Sequence, residues 1–209
     1  MKNMLADKSV KAFLQETASD APVPGGGSIA AMSGATSAAL TAMVANLTIG
    51  KKKYETVEES MKGIHQRVTQ SQNQLIELID EDAESFNGVM ACFKMPKETD
   101  EEKAERKEAI QQATKIAAQV PLKIAETVMG LMDDIETVVK SGNSNAVTDG
   151  AVAAMMARTA VLSALYNVKI NLGGIKDEAY VEEMTQKVKE LEEVAQTREK
   201  AILEQVKLD

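Results

Sequence analysis

The sequence predicts an all-α fold, a bundle of about six helices that includes long antiparallel ones. Apolar residues recur at steps of three and four over most of the chain, which is the spacing of one helix face. Aromatic residues are scarce, with three Phe, three Tyr and no Trp, whereas β-sheets are built largely from aromatic and β-branched residues. No linker or internal repeat divides the 209 residues, so we expect one helical domain over 1–209.

Composition disfavours several classes of function. The net charge of −8 speaks against nucleic acid as a partner, because phosphate contacts need a basic face. The single cysteine, Cys92, allows no intramolecular disulfide and agrees with a reducing cytoplasm. The single histidine, His65, excludes a His-rich metal site, and the absence of clustered Cys and His spacing predicts that there is no structural zinc. Residues 1–10 carry no signal-peptide pattern, so we expect a cytoplasmic protein.

A short amphipathic helix over 9–18 is followed by the most informative stretch, 22–54. Three successive positions there lack a Cβ and allow close approach to the backbone: Gly25, Gly26 and Gly27. Ser28 is the predicted N-cap of a helix over 29–48, whose first backbone N–H groups would face a polar or anionic ligand. Three lysines follow the other end of this helix: Lys51, Lys52 and Lys53. A tight turn beside a solvated basic patch is the alternative interpretation.

The predicted helix over 29–48 has no charged residue. Segment 24–50 is long enough to span a bilayer, but its Ala, Gly, Ser and Thr content favours a helix packed inside a protein. A helix that is apolar on all sides must be surrounded. We therefore expect a buried core helix, part of which a partner subunit covers.

A long helix is predicted over 55–93 because apolar residues form a heptad-like seam. The clearest members of the seam are Val57, Met61, Ile64, Val68, Leu75, Leu78 and Val89. Asp82 occupies a seam position between Leu78 and Val89. A buried carboxylate is unfavourable unless it has a hydrogen-bond or ion-pair partner or a function, and burial raises its pKa. Asp82 is therefore a candidate functional acid or base, unless it lies at the solvated edge of the seam.

The next helix is predicted over 100–139, with Thr99 and Glu102 as a capping box. Pro121 falls inside it and cannot donate a hydrogen bond to the carbonyl of Ala117, so we expect a kink or a break there.

A polar turn over 141–145 separates this helix from another small, apolar one that runs to about Asn167. Asn145 and Asp149 are four residues apart, which would place them on one face of its first turns. They are a second candidate site, with simple capping as the alternative. We expect a loop or extended piece over 167–174 and a last helix over 177–206 with a solvated, charged outer face.

Six motifs occur in a fixed order: PVPGGGS at 22–28, NLTIGKKKY at 46–54, DAESF at 82–86, VPL at 120–122, GNSNAVTD at 142–149 and NVKIN at 167–171. Together they resemble the formiminotetrahydrofolate cyclodeaminase / methenyltetrahydrofolate cyclohydrolase family in its stand-alone, single-domain form. The resemblance covers about 10–174. Each motif alone is weak, whereas six in order at these spacings are specific.

The resemblance implies an all-helical homodimer whose folate-binding cleft is lined by the glycine-rich turn, Asp82 and the Asn-x-Asn turn. It implies no metal and no prosthetic group. Asp82 would be the catalytic acid or base, Asn145 and Asp149 would hold the amide-like edge of the pterin, and a lysine would meet the glutamate tail, which can be polyglutamylated. The substrate-binding candidates are Gly25, Gly26, Gly27, Ser28, Asn46, Lys51, Lys52, Lys53, Asn143, Asn145 and Asp149.

The expected activity is that of an ammonia-lyase, which converts 5-formiminotetrahydrofolate to 5,10-methenyltetrahydrofolate and releases ammonia. Histidine catabolism is one source of such a substrate. The alternative is a hydrolase, a methenyltetrahydrofolate cyclohydrolase that interconverts the 5,10-methenyl and 10-formyl forms. A further alternative is a non-catalytic dimeric helical protein that binds a ligand or a partner helix. The glycine-rich turn and Asp82 speak against it, since a purely structural bundle gains nothing from either.

Overall fold

The computed structural model describes residues 4–208, so residues 1–3 and 209 of the predicted domain lie outside the described part. Residues 4–208 form seven α-helices and two 3-10 turns, with no strand among them. The all-α prediction is confirmed. The α-helices are α1 Val10–Thr17, α2 Gly26–Thr48, α3 Glu58–Phe93, α4 Asp100–Met129, α5 Met132–Ser141, α6 Val147–Leu172 and α7 Glu178–Leu203, and the 3-10 turns are Lys52–Val57 and Ser144–Ala146.

Helix α2 is the core of the bundle and packs most extensively against α3 and α6. Its small residues allow this close packing. A Cβ on Gly34 would lie 2.5 Å from Cγ2 of Val128 on α4, and Oγ of Ser37 donates a hydrogen bond to the carbonyl of Ala153 on α6 at 2.8 Å. The prediction of a buried core helix is confirmed.

Both α2 and the segment from Ser144 to Leu172 are long and apolar enough to cross a membrane by length and composition alone. In the structure, 67% of the most apolar window of α2 and 50% of that of the second segment are buried by protein. The core packing of α2 accounts for its hydropathy, while the second segment keeps an uncharged exposed side.

Of the kink or break expected at Pro121, the break does not occur. Helix α4 continues through Pro121 and ends at Met129, and α5 begins at Met132. Asn171 donates its amide Nδ2 to the carbonyl of Ala117 at 2.9 Å. Because this side chain satisfies the carbonyl that Pro121 leaves without an N–H partner, the helix tolerates the proline. The division of 100–139 raises the number of helices from the expected six to seven.

Helix α6 is longer than expected, because 167–172 are helical rather than a loop. The segment contains no helix-breaking residue, and the first glycine after it, Gly173, follows the last helical residue. The other predicted helix boundaries agree more closely with the observed ones. The Thr99 and Glu102 capping box is present at the start of α4, and α3 begins at Glu58, after a 3-10 turn, instead of at Glu55.

Candidate active site

A pocket of about 350 Å³ opens at the N-terminal end of α2. The first turn of α2, the C-terminal part of α3, the end of α6, Ala117 of α4 and the preceding residues Pro22 and Val23 line it. Its volume falls in the range of small-molecule sites. Among the described residues that line it, Asp82 alone has an ionisable side chain.

Asp82 lies where the buried seam of α3 ends and the pocket begins. The preceding seam residues Leu75 and Leu78 are fully buried, whereas Ser85 and Val89, which follow, line the pocket. The seam prediction is therefore correct up to Asp82. Beyond this point, the same helix face turns from the core to a cavity.

The carboxyl of Asp82 is half-buried and hydrogen-bonded to α2. Oγ of Ser28 lies 3.1 Å from Oδ2 of Asp82 and 2.9 Å from the carbonyl oxygen of Ile79. Burial raises the pKa of Asp82 above its ordinary value, although the side-chain and backbone hydrogen bonds from Ser28 act to lower it. A carboxyl with a raised pKa holds a proton more readily than an exposed one, so it can accept and return a proton in turn, which suits general acid–base catalysis.

The predicted N-cap at Ser28 is wrong. Helix α2 begins at Gly26 with Gly25 as its N-cap, and Ser28 is a buried residue of the first turn. No N-cap side chain bonds this turn; instead, Asp82 of α3 accepts the backbone N–H of Ser28. A side chain from a neighbouring helix thus does the work of a capping residue, an arrangement that local sequence cannot reveal.

Gly27 is required for the approach of Asp82 to α2. A Cβ on Gly27 would lie 2.0 Å from Oδ1 of Asp82, which is far inside van der Waals contact. Left-handed backbone is not the reason for the glycines here, because among the described glycines only Gly50 has a positive φ, of 73°. The predicted close approach at the glycine-rich turn is present, and the approaching group is the protein's own carboxyl.

Two amide side chains of α6 line the same pocket as Asp82: Asn167 and Asn171. Nδ2 of Asn167 donates to the carbonyl of Ser163 at 2.9 Å, and its amide group lies against Gly26. Neither asparagine was among the predicted binding residues, although NVKIN was one of the motifs. Their i, i+4 spacing on an otherwise apolar helix was the available signal.

An apolar wall extends the pocket along α3. Phe86, Met90 and Phe93 line it and remain 37%, 39% and 49% exposed. These three residues lie on one face of the helix over about 10 Å. Two of the three Phe residues of the chain are therefore used at this cavity instead of in the core. Such a surface can receive an aromatic part of a ligand.

The other predicted binding residues lie at the opposite end of α2. The 23 residues of this helix span about 33 Å at 1.5 Å per residue. Near its C-terminal end, Asn143 Nδ2 donates to the carbonyl of Leu47 at 2.9 Å, and the N–H of Ser144 donates to the Tyr54 hydroxyl at 3.0 Å. Hydrogen bonds from Ser144 lower the pKa of the half-buried Tyr54 phenol.

This second group contains the remaining predicted residues: Asn46, Lys51, Lys52, Lys53, Asn143, Asn145 and Asp149. Asn145 belongs to the 3-10 turn and Asp149 to the first turn of α6, which begins at Val147. The expectation that both start one helix was wrong, because the chain tightens into a 3-10 turn first. Within one chain, the structure brings Gly25, Gly26, Gly27, Ser28 and Asp82 together and leaves the second group far from them.

Comparison with known proteins adds a family context. A family model described as Formiminotransferase-cyclodeaminase matches residues 9–190. The methenyltetrahydrofolate cyclohydrolase of Methylorubrum extorquens is 43% identical over 189 residues, which are 90% of this chain and 89% of that protein. The formimidoyltransferase-cyclodeaminase of Rattus norvegicus is 34% identical over 199 residues, 95% of this chain but only 37% of the rat protein.

A similar fold has been solved. The crystal structure of formiminotetrahydrofolate cyclodeaminase from Thermotoga maritima superposes with a TM-score of 0.85 and 30% identity, over 96% of each chain. These similarities extend over nearly the whole chain, so they include α2, α3 and α6, the helices that build the pocket.

Proposed function

This chain belongs to the formiminotransferase-cyclodeaminase family, and we propose that it acts on 5-formiminotetrahydrofolate, closing the 5,10-methenyl bridge and releasing ammonia at Asp82. The observation that carries the proposal is the single ionisable side chain in an apolar pocket, with its pKa raised by burial. Closing the bridge requires one proton to leave N10 and one to reach the departing amine. One carboxyl placed between these two nitrogens can do both.

The reaction begins with the formimino group as a cation and Asp82 as a carboxylate. N10 attacks the formimino carbon, and its proton passes to the Asp82 carboxylate. The resulting carboxylic acid protonates the amino group, the carbon–nitrogen bond breaks, and ammonia leaves. The nitrogen lone pairs complete the methenyl cation, and Asp82 is again a carboxylate, whose charge stabilises the cation beside it. No metal or prosthetic group enters this sequence, and their absence remains a prediction.

A second candidate is the cyclohydrolase reaction, favoured by the 43% identity to the Methylorubrum enzyme over most of both chains. Here Asp82 would take a proton from water as it adds to the methenyl carbon. It would then return the proton to N5 as the bond between N5 and that carbon breaks, and the hydroxyl proton of the adduct would leave to solvent as the formyl C=O forms, giving neutral 10-formyltetrahydrofolate from the cationic substrate. The same carboxyl serves both reactions. The cyclodeaminase reaction releases ammonia from this carbon, whereas the cyclohydrolase reaction adds water to it.

The absorbance of the methenyl chromophore tests both candidates with purified protein. One experiment supplies 5-formiminotetrahydrofolate and follows the appearance of the band; the other supplies 5,10-methenyltetrahydrofolate and follows its loss above the spontaneous rate. Appearance alone supports the cyclodeaminase, and accelerated loss alone supports the cyclohydrolase. Activity in neither experiment would overturn both and favour a binding protein. Supply of the substrate by histidine catabolism and a cytoplasmic location remain predictions.

The enzyme is proposed to work as a homodimer. Helices α2 and α6 leave an uncharged exposed strip, which we call the α2–α6 strip: Met32, Thr36, Leu40, Met43, Leu47, Val152, Met155 and Thr159. Its larger members are well exposed, with Met43 at 37% and Met155 at 45%. Apolar surface of this kind is typical of an interface, and a second copy of the chain is the occupant that the resemblance implies.

A dimer would also complete the site. The proposed cleft contains both Asp82 and the Asn143–Asn145 turn, but one chain holds them at opposite ends of α2, a helix about 33 Å long. In a two-fold dimer with antiparallel α2 helices, the C-terminal end of one α2 meets the N-terminal end of the other. The turn at Asn145 and the lysines 51–53 of one copy would then reach the Asp82 pocket of the second copy.

Mixing two inactive variants tests this shared site. We expect Asp82→Asn and the double variant Asn145→Ala/Asp149→Ala each to be dimeric and impaired. Random reassociation makes half of the dimers mixed, and each mixed dimer has one intact site, so about a quarter of wild-type activity should return.

The matched control mixes Asp82→Asn with Gly27→Ala, whose defects lie in the same pocket. No activity should return there, because every pocket in the mixed dimer contains one of the two defects. Activity that returns in the control mixture, or fails to return in the first mixture, would contradict the shared site. A wild-type protein that sediments as a monomer would contradict the dimer itself.

A further inference from the structure

Pro121 and Asn171 form a pair that joins α4 to α6 at the wall of the pocket. Pro121 has no N–H, and a proline ring inside a helix crowds the carbonyl four residues earlier. That carbonyl belongs to Ala117, which lines the pocket. It accepts a hydrogen bond from Nδ2 of Asn171 at 2.9 Å.

The amide of Asn171 is fixed by two carbonyls. Its Nδ2 donates to Ala117 O at 2.9 Å and to Asn167 O at 2.8 Å. Carbonyl oxygens only accept hydrogen bonds, so the NH₂ group must face them and both of its hydrogens are used. The remaining polar atom, Oδ1, can only accept, and no residue that the structure describes donates to it.

Asn171 lines the same pocket as Asp82. We propose that Oδ1 of Asn171 accepts a hydrogen bond from the N–H edge of the reduced pteridine, and that Pro121 is the positioning residue that makes this possible. The inference rests on the proposed folate substrate and deepens it. A reduced pteridine carries N–H donors at its 2-amino group, N3 and N8, whereas an acceptor held with both amide hydrogens occupied would not bind a carboxylate or phosphate.

The role of Pro121 follows from competition for one carbonyl. In an uninterrupted helix, the N–H of residue 121 would bond Ala117 O along the helix axis. The proline removes this donor and leaves the carbonyl to Asn171. Thus the proline, unfavourable for α4 alone, fixes the direction of a binding group on α6.

Four proteins test the pair: wild type, Pro121→Ala, Asn171→Ala and the double variant. Asn171→Ala should raise KM by about three- to tenfold, the effect of one hydrogen bond, with a smaller change in kcat. It should also lower Tm, because Ala117 O loses its partner.

Pro121→Ala should raise KM in the same direction but raise Tm, since an alanine N–H completes the helix. A loss of binding that accompanies a gain in stability cannot come from poorer folding. In the double variant, Tm should recover relative to Asn171→Ala, while KM should equal that of Asn171→Ala, because Pro121 acts only through Asn171. Asn73→Ala, an exposed position on α3, controls for the loss of an amide from a helix.

Calorimetric binding of 5-formyltetrahydrofolate, used as a stable probe, tests the folate site and the role of the Pro121–Asn171 pair separately. Binding to wild type that weakens in parallel with KM in the three variants supports the inference. Equal binding by all four proteins, or KM effects that simply add in the double variant, would overturn the role of the pair and leave the proposed function standing. No binding to wild type would overturn the folate site and this inference with it.

Discussion

Replacement of Asp82 by asparagine should lower kcat by about 10²- to 10⁴-fold, the usual contribution of general acid–base catalysis, while folding and folate binding persist. Asparagine has nearly the same shape, and its Oδ1 can still accept the hydrogen bonds that Ser28 donates to Asp82. It cannot carry a proton between N10 and the leaving amine. The methenyl absorbance assay measures kcat, and thermal unfolding with and without 5-formyltetrahydrofolate measures stability and binding.

Glu81→Gln is the matched control, since it removes a carboxyl one residue away that pairs with Lys123 at the surface. Its activity should stay within about twofold of wild type, because an exposed ion pair contributes little. An Asp82→Asn enzyme of full activity would remove Asp82 from the mechanism. A variant that is inactive and also unfolded would be tested again as Asp82→Ser.

The pH dependence of wild type provides an independent measurement on the same carboxyl. Asp82 must begin as a carboxylate in order to accept a proton, so kcat should fall as the pH is lowered through its pKa. Burial raises this pKa, and the acid limb should therefore lie at higher pH than for an exposed aspartate. A limb at the ordinary aspartate value would show that burial does not govern the group in the working enzyme.

Replacement of Gly27 by alanine should lower activity by about 10²-fold, the typical effect of misplacing a reacting group by about 1 Å. The new Cβ would lie 2.0 Å from Oδ1 of Asp82, so the carboxyl must swing away and lose its position over α2. Because a short side chain yields more easily than backbone, the free energy of unfolding should fall by no more than about 1–3 kcal/mol. Activity should thus suffer far more than stability.

Gly88→Ala is the control for this substitution. Gly88 lies on α3, two turns beyond Asp82, and a Cβ there would have no neighbour within 4 Å. Alanine should raise the free energy of unfolding by about 0.5–1 kcal/mol, because it favours the helical backbone, and activity should not change. Normal turnover by Gly27→Ala would mean that the observed position of Asp82 is not the one used in catalysis.

The sequence by itself determined the helical class, the core position of α2 and the choice of Asp82 as the candidate acid or base. These features depend on periodicity and composition, which are local properties. The apolar seam of α3 predicts one buried face, and a carboxylate at a seam position is conspicuous in any arrangement of helices. The six motifs likewise predicted the family, because order and spacing along the chain need no three-dimensional information.

Only the tertiary structure decided what each motif contacts. Serine is a residue type preferred at N-caps, which is why Ser28 was predicted to be one. In the structure, Asp82 from α3 takes that role instead. Pro121 should interrupt α4, yet Asn171 from α6 satisfies the carbonyl it leaves free, and the helix continues to Met129. Asn145 and the lysines 51–53 are separated from Asp82 by the length of α2. For Ser28 and Pro121 the deciding partner lies on another helix, and hydrogen bonds between helices override the local preference of the backbone.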